Sequence, residues 1–137
     1  MNWVVVAVLA LLVVLFFSWS ARQQNKVETV TTEEVINLMK TDTNVVILDV
    51  RTPEEYESST GHLKGAILVP VQELNARMHE LDKYKSKTVI AVCRSGNRSG
   101  RATAMMGAKG FKVLNMTGGM LKWNAEEKPV AYEESEK

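Results

Sequence analysis

One cysteine, Cys93, stands in the 137 residues of this chain, beside two histidines and three prolines. A single thiol excludes an internal disulfide, a Cys-x-x-Cys redox pair and a cysteine-rich zinc site. His62 and His79 lie far apart in segments of different character, so no metal site is expected and no cofactor is implied. An excess of charge is missing too: 17 basic against 16 acidic residues leave a formal net charge of +1, and no basic surface for nucleic acid. Nor does any charged side chain precede Arg22.

That charge-free start is apolar without interruption from Trp3 to Phe17. About twenty residues rising 1.5 Å each span roughly 30 Å, the thickness of a bilayer's hydrocarbon core. Trp3 and Trp19 bracket the stretch as interfacial anchors would. Residues 1–21 therefore read as an uncleaved transmembrane helix. A cleaved signal peptide is the alternative, since Ser18-Trp19-Ser20 offers small residues at a suitable spacing, but Met1 and Asn2 supply no positive N-terminal region. Arg22 and Lys26 follow the helix and favour a single-pass membrane protein with a cytoplasmic domain, a periplasmic or secreted one being the alternative. Residues 22–30 read as a linker, 31–130 as one globular domain, and 131–137, with Glu133, Glu134 and Glu136, as a disordered acidic tail.

Within the domain, Thr31 and Glu34 have capping-box spacing, and Val35, Leu38 and Met39 follow at helical intervals, so a helix ends near Lys40. Val45 to Leu48 is a short, β-branched apolar run, a strand covered on both faces that ends at Asp49. Thr52-Pro53-Glu54-Glu55 supplies an N-cap, proline at the first helical position and glutamate at the third. Ile67 to Val69 reads as a strand, and Leu74, Met78 and Leu81 as one face of a helix. Thr88 to Val92 is a further strand, Ser99 to Lys109 a helix closed by Gly110, Val113 to Met116 a strand, and Met120 to Asn124 a short helix. Alternating strands and helices predict an α/β fold with a parallel sheet between helices. Ligands bind such sheets beyond the carboxyl ends of the strands, where Asp49 and Cys93 both fall.

Cys93-Arg94-Ser95-Gly96-Asn97-Arg98-Ser99 leads from a strand into a helix, and a turn of this kind aims successive N–H groups at whatever the sulfur carries. Gly96 provides positive φ, and Arg94, Arg98 and Arg101 add positive charge near the sulfur. Cysteines in such settings titrate at about 3.5 to 7.5 instead of about 8.5, so a thiolate near neutrality is expected. An inert core cysteine would more often be followed by apolar residues.

Four patches together resemble the single-domain rhodaneses: Leu48 to Tyr56, Gly61 to Ala66, Cys93 to Ser99 and Gly118 to Trp123. The resemblance implies a five-stranded parallel sheet with helices on both faces. It also implies a sulfurtransferase that takes a sulfane sulfur from thiosulfate or another persulfide and passes it to a nucleophilic acceptor. Carried over residue by residue, Cys93 is the persulfide-forming nucleophile, and Arg94, Ser95, Gly96, Asn97, Arg98 and Ser99 hold the donor, Arg94 and Arg98 countering the charge of departing sulfite. The implied partners are a small anionic sulfur donor and a thiol acceptor such as a sulfur-carrier protein. Asp49 is expected in a structural ion pair, with Arg51 and His62 as further structural support, and Trp123, Met105 and Met106 as packing. Two other functions fit the same residues. A membrane-tethered persulfide carrier or docking module would not turn over. A cysteine phosphatase would need a loop one residue longer between cysteine and arginine, to surround a phosphate.

Overall fold

A computed structural model of the chain describes residues 2–24 and 26–132. Its first element, α1 (Trp3–Gln24), has 22 residues. The stretch Trp3–Ala21, 19 residues with a mean hydropathy of 2.7, is long and apolar enough to cross a membrane, and none of it is buried against the rest of the protein.

Five parallel strands follow: β1 (Thr29–Val30), β2 (Val45–Asp49), β3 (Ile67–Leu68), β4 (Thr88–Val92) and β5 (Lys112–Met116). Their order across the sheet is β1-β5-β4-β2-β3. The helices are α2 (Thr32–Thr41), α3 (Pro53–Tyr56), α4 (Val71–Arg77), α5 (Asn97–Gly107) and α6 (Gly119–Ala125), with a 3-10 segment at Met78–Tyr84.

Alternation along β4 shows why both faces are covered. Val89, Ala91 and Cys93 join Leu74 of α4, Leu81 of the 3-10 segment and Ala102 and Met106 of α5 in one apolar layer. Ile90 and Val92 join Val35 of α2 and Met120 and Trp123 of α6 in the other. A strand buried on both sides reads as an unbroken apolar run, as Val89 to Val92 does. Met106 and Trp123 are buried and Met105 packs against the first layer, while the Trp123 indole N–H donates to the Pro129 carbonyl at 2.9 Å.

Helix starts follow their caps. Thr31 Oγ1 accepts from the Glu34 amide at 3.1 Å, while the Thr31 amide donates to the Glu34 carboxylate at 2.8 Å. Thr52 and Glu55 form the same reciprocal pair ahead of α3.

Three features depart from the sequence pattern. β1 is only two residues long and has no alternation to betray it; its place comes from pairing Thr29 with Asn115 and Val30 with Met116. α5 starts at Asn97, two residues before the expected Ser99, because Gly96 at φ 105 already caps it. α1 runs on to Gln24, and Ala131 pairs with His62, so ordered structure reaches beyond the 31–130 span at both ends. The acidic residues from Glu133 onward lie outside the described residues.

Candidate active site

The chain leaves β4 at Val92 and turns at once, because its next two carbonyls are captured. The Cys93 carbonyl accepts from the Met120 amide at 2.9 Å, and the Arg94 carbonyl from the Leu121 amide at 3.0 Å, both in the first turn of α6. Carbonyls drawn toward α6 leave the following N–H groups to point back at the sulfur. Gly119 permits this approach: a Cβ there would lie 2.5 Å from both carbonyl oxygens, and its φ is 56. Gly96 closes the turn in the left-handed region, which a residue with a Cβ enters only at a cost of about 1–2 kcal/mol.

The Gly96 amide is 3.1 Å from Cys93 Sγ, and the Ser99 hydroxyl 3.2 Å. Cys93 as a whole is 1% exposed. Burial pushes its thiol pKa up, but hydrogen bonding from the Ser99 hydroxyl and from the amides of Ser99, Gly96 and Ser95 outweighs burial and holds the pKa below the ordinary thiol value. Arg94, Ser95 and Asn97 are exposed on the outer side of the loop.

Arg98 does not stand alone. Its Nη1 and Nη2 donate to the two carboxylate oxygens of Glu55 at 2.7 and 2.6 Å, so a forked ion pair joins α5 to α3. That pairing raises the Arg98 pKa, and the negative charges of Cys93 and Asp49 act in the same direction. The bond from Arg98 is also the main reason Glu55 titrates at about 2, with burial opposing and the Thr52 amide assisting. A carboxylate depressed on folding stabilises the protein fully above its ordinary pKa and loses that contribution as acid protonates it. The Glu55 share is therefore complete above pH 4.5 and fades toward about 2. Urea midpoints measured stepwise through this window fall less steeply with acid in Glu55→Gln than in the unaltered protein.

The remaining predicted site residues lie at the end of β2 and in the loop after α3. Arg51 Nη2 meets Asp49 Oδ2 at 2.7 Å, Arg51 Nε meets Oδ1 at 3.0 Å, and both residues are 1% exposed. The other Arg51 donors reach the carbonyls of Glu55 and Gly61 and the Thr60 hydroxyl. Asp49 and Arg51 thus fasten the β2–α3 connection. His62 stacks on Tyr56 with ring centroids 3.8 Å apart, and its Nδ1 lies 3.2 Å from the Tyr56 carbonyl. Its backbone exchanges two hydrogen bonds with Ala131. Among the described residues no cluster of three or more His, Cys, Asp or Glu is gathered that could hold a metal ion.

Three residues of the site escaped the sequence reading. Glu55 was visible as the glutamate at the third helical position after the Thr52 cap, and Gly119 within the patch Gly118 to Trp123, neither with a role at the sulfur. Asn115 carried a signal, a polar residue in the otherwise apolar run Val113 to Met116. It is buried, with Oδ1 2.6 Å from the Ser99 hydroxyl and Nδ2 3.1 Å from the Gly96 carbonyl.

Comparison with known proteins agrees with this geometry. Residues 31–126 match the model of the rhodanese-like domain. A sulfurtransferase of Allochromatium vinosum is 34% identical over 92 residues, which cover 66% of this chain and 82% of the relative. The thiosulfate sulfurtransferase PspE of Escherichia coli is 33% identical over 73 residues, covering 53% of this chain and 68% of the relative. Among solved structures, a rhodanese-like domain protein of Staphylococcus aureus superposes with a TM-score of 0.66 at 29% identity, over 76% of this chain and 98% of that one. With more than half its length matched by the domain model and sulfurtransferases among its relatives, this chain belongs to the rhodanese family and is of the sulfurtransferase kind.

Proposed function

We propose that this protein moves a sulfane sulfur from thiosulfate or a persulfide donor to a thiophilic acceptor, through a persulfide on Cys93. The observation that carries the reading is the sulfur of Cys93 facing the Gly96 amide at 3.1 Å and the Ser99 hydroxyl at 3.2 Å at the carboxyl end of β4. Donors fixed before the reaction stabilise a sulfur anion without reorganising.

With thiosulfate, the Cys93 thiolate attacks the outer sulfur, and the sulfur–sulfur bond of the donor breaks. Sulfite leaves with the bonding pair, and the negative charge of the thiolate passes to the terminal sulfur of the new persulfide. An acceptor then attacks that terminal sulfur, and the Cys93 thiolate departs as the leaving group. One thiol suffices for both halves, which matches a chain with a single cysteine. Arg94, exposed at the rim, is placed to meet an anionic donor, whereas Arg98 shares its charge with Glu55. Ser95 and Asn97 complete the outer wall of the loop. Asp49, Arg51 and His62 act as support and carry no proton in this scheme. A sulfur-carrier protein or another thiol protein is the acceptor class we favour. The α1 helix tethers the domain to a membrane, and Arg22 and Lys26, which follow its apolar stretch Trp3–Ala21, support a cytoplasmic side.

Steady-state kinetics with thiosulfate and cyanide test the proposal. Parallel double-reciprocal lines, the mark of a double displacement, and no release of phosphate from an aryl phosphate are expected. Brisk aryl phosphate hydrolysis with no thiocyanate formed would contradict it.

A further inference from the structure

The Ser99 hydroxyl has one proton and lies between two acceptors. Cys93 Sγ is 3.2 Å away and Asn115 Oδ1 is 2.6 Å away. The orientation of the Asn115 amide is fixed by its other end, because Nδ2 donates to the Gly96 carbonyl at 3.1 Å and a flipped amide would set oxygen against oxygen. Oδ1 can only accept. Ser99 is fully buried and Asn115 nearly so, so water does not stand ready to replace a lost partner. The fit is close on the remaining side too: a Cβ on Gly100 would lie 3.3 Å from Asn115 Nδ2.

The consequence depends on what Sγ carries. A thiol can donate its own proton to Ser99 Oγ, leaving the hydroxyl proton on Asn115. A thiolate needs the hydroxyl proton for itself, and Asn115 Oδ1 is then left buried without a donor, which disfavours that state. In a persulfide Sγ is bonded to a second sulfur and the charge sits on the outer atom, so the hydroxyl can return to Asn115. We propose that Asn115 is a positioning residue that competes with Cys93 for the Ser99 proton, disfavouring the bare thiolate against both the thiol and the sulfur-loaded form. This rests on the reading of Cys93 as the sulfur acceptor and adds to it a residue on β5 that sets how far the loaded form is preferred.

The charged groups on the elements that frame the sulfur are Arg94 in the loop, Arg98 and Arg101 on α5, Asp49 and Arg51 at and just after the end of β2, Glu55 on α3 and Lys122 on α6. Substitutions at Asn115 and Ser99 leave all of them in place. The single cysteine makes the readout clean: the rate of iodoacetamide alkylation of the full chain in detergent, followed against pH by mass, reports Cys93 alone. Asn115→Ala is expected to lower the apparent thiol pKa, with about a tenfold rise in alkylation rate on the acid side of the curve. Asn115→Asp, which keeps an acceptor and adds negative charge, is expected to raise it. In a Ser99→Ala background Asn115→Ala is expected to lose its lowering effect. If Asn115 merely braced the loop through Gly96, both variants would loosen the amides and raise the pKa, and that result overturns the proposal. A lowered pKa that persists without the Ser99 hydroxyl overturns it as well.

Sulfur loading separates this inference from the function it rests on. If thiosulfate leaves no sulfur on the unaltered protein while Asn115→Ala still lowers the pKa only with Ser99 present, the competition for the proton stands and the sulfur-transfer reading falls. If loading occurs and Asn115→Ala does not lower the pKa, the reverse holds.

Discussion

Replacing Asp49 by alanine lowers the stability of the folded domain by about 3–5 kcal/mol, the range for removing one partner of a buried ion pair. The magnitude follows from what remains. Arg51 is 1% exposed, and after the substitution its guanidinium has only neutral acceptors, the Glu55 and Gly61 carbonyls and the Thr60 hydroxyl. Asp49 also accepts the Arg51 backbone amide at 3.0 Å, so the turn leaving β2 loses a second tie. A small domain holds only about 5–15 kcal/mol in total, and a loss of this size is a large fraction of it. Urea unfolding followed by circular dichroism measures it. A double substitution, Asp49→Leu with Arg51→Met, removes both charges and recovers much of the loss, because no unpaired charge stays inside. A cost for Asp49→Ala below about 1 kcal/mol, the value of an exposed pair, would contradict the buried tie.

The strands that frame the site were legible because the chain states their environment. Val45 to Leu48 and Thr88 to Val92 are unbroken apolar runs, which only a sheet covered on both faces requires, and they became β2 and β4, in register from Val45 opposite Thr88. The reciprocal caps at Thr31 and Thr52 marked two helix starts for the same reason: each is a local pattern, complete within four residues. β1 was illegible because two residues cannot show a period; only the neighbouring edge of β5 makes Thr29 and Val30 a strand.

The candidate site divides along the same line. Sequence neighbours could be read together, so the turn after Cys93 and its inward amides were foreseen, down to the positive φ of Gly96. Partners that meet across the fold could not. Glu55 reaches Arg98 from 43 positions away, and Gly119 closes on the Cys93 carbonyl from another helix. Arg98 consequently enters the site as half of an ion pair with Glu55, where the sequence offered it as one of three nearby cations. The thiol pKa shows the same balance of near and far: amides of the adjacent turn and the Ser99 hydroxyl lower it against the burial that tertiary packing imposes.

Cys93→Ser abolishes sulfur transfer altogether. A serine hydroxyl in the same cradle stays protonated near neutral pH, so the amides have no anion to hold and no nucleophile forms. The bond to the donor sulfur cannot be made by an oxygen of that basicity at any useful rate, whereas the Cys93 thiol, its pKa held below the ordinary value despite burial, is the stronger nucleophile once ionised. Neither the Asp49–Arg51 tie nor the Glu55–Arg98 pair involves this side chain, so the variant keeps its fold. The intact mass of the full chain after brief incubation with thiosulfate is the decisive measurement for the Cys93 persulfide. The added mass of one sulfur atom is expected, lost on treatment with cyanide and absent from Cys93→Ser. An unchanged mass on the unaltered protein, with Cys93 nonetheless open to alkylation, would contradict it.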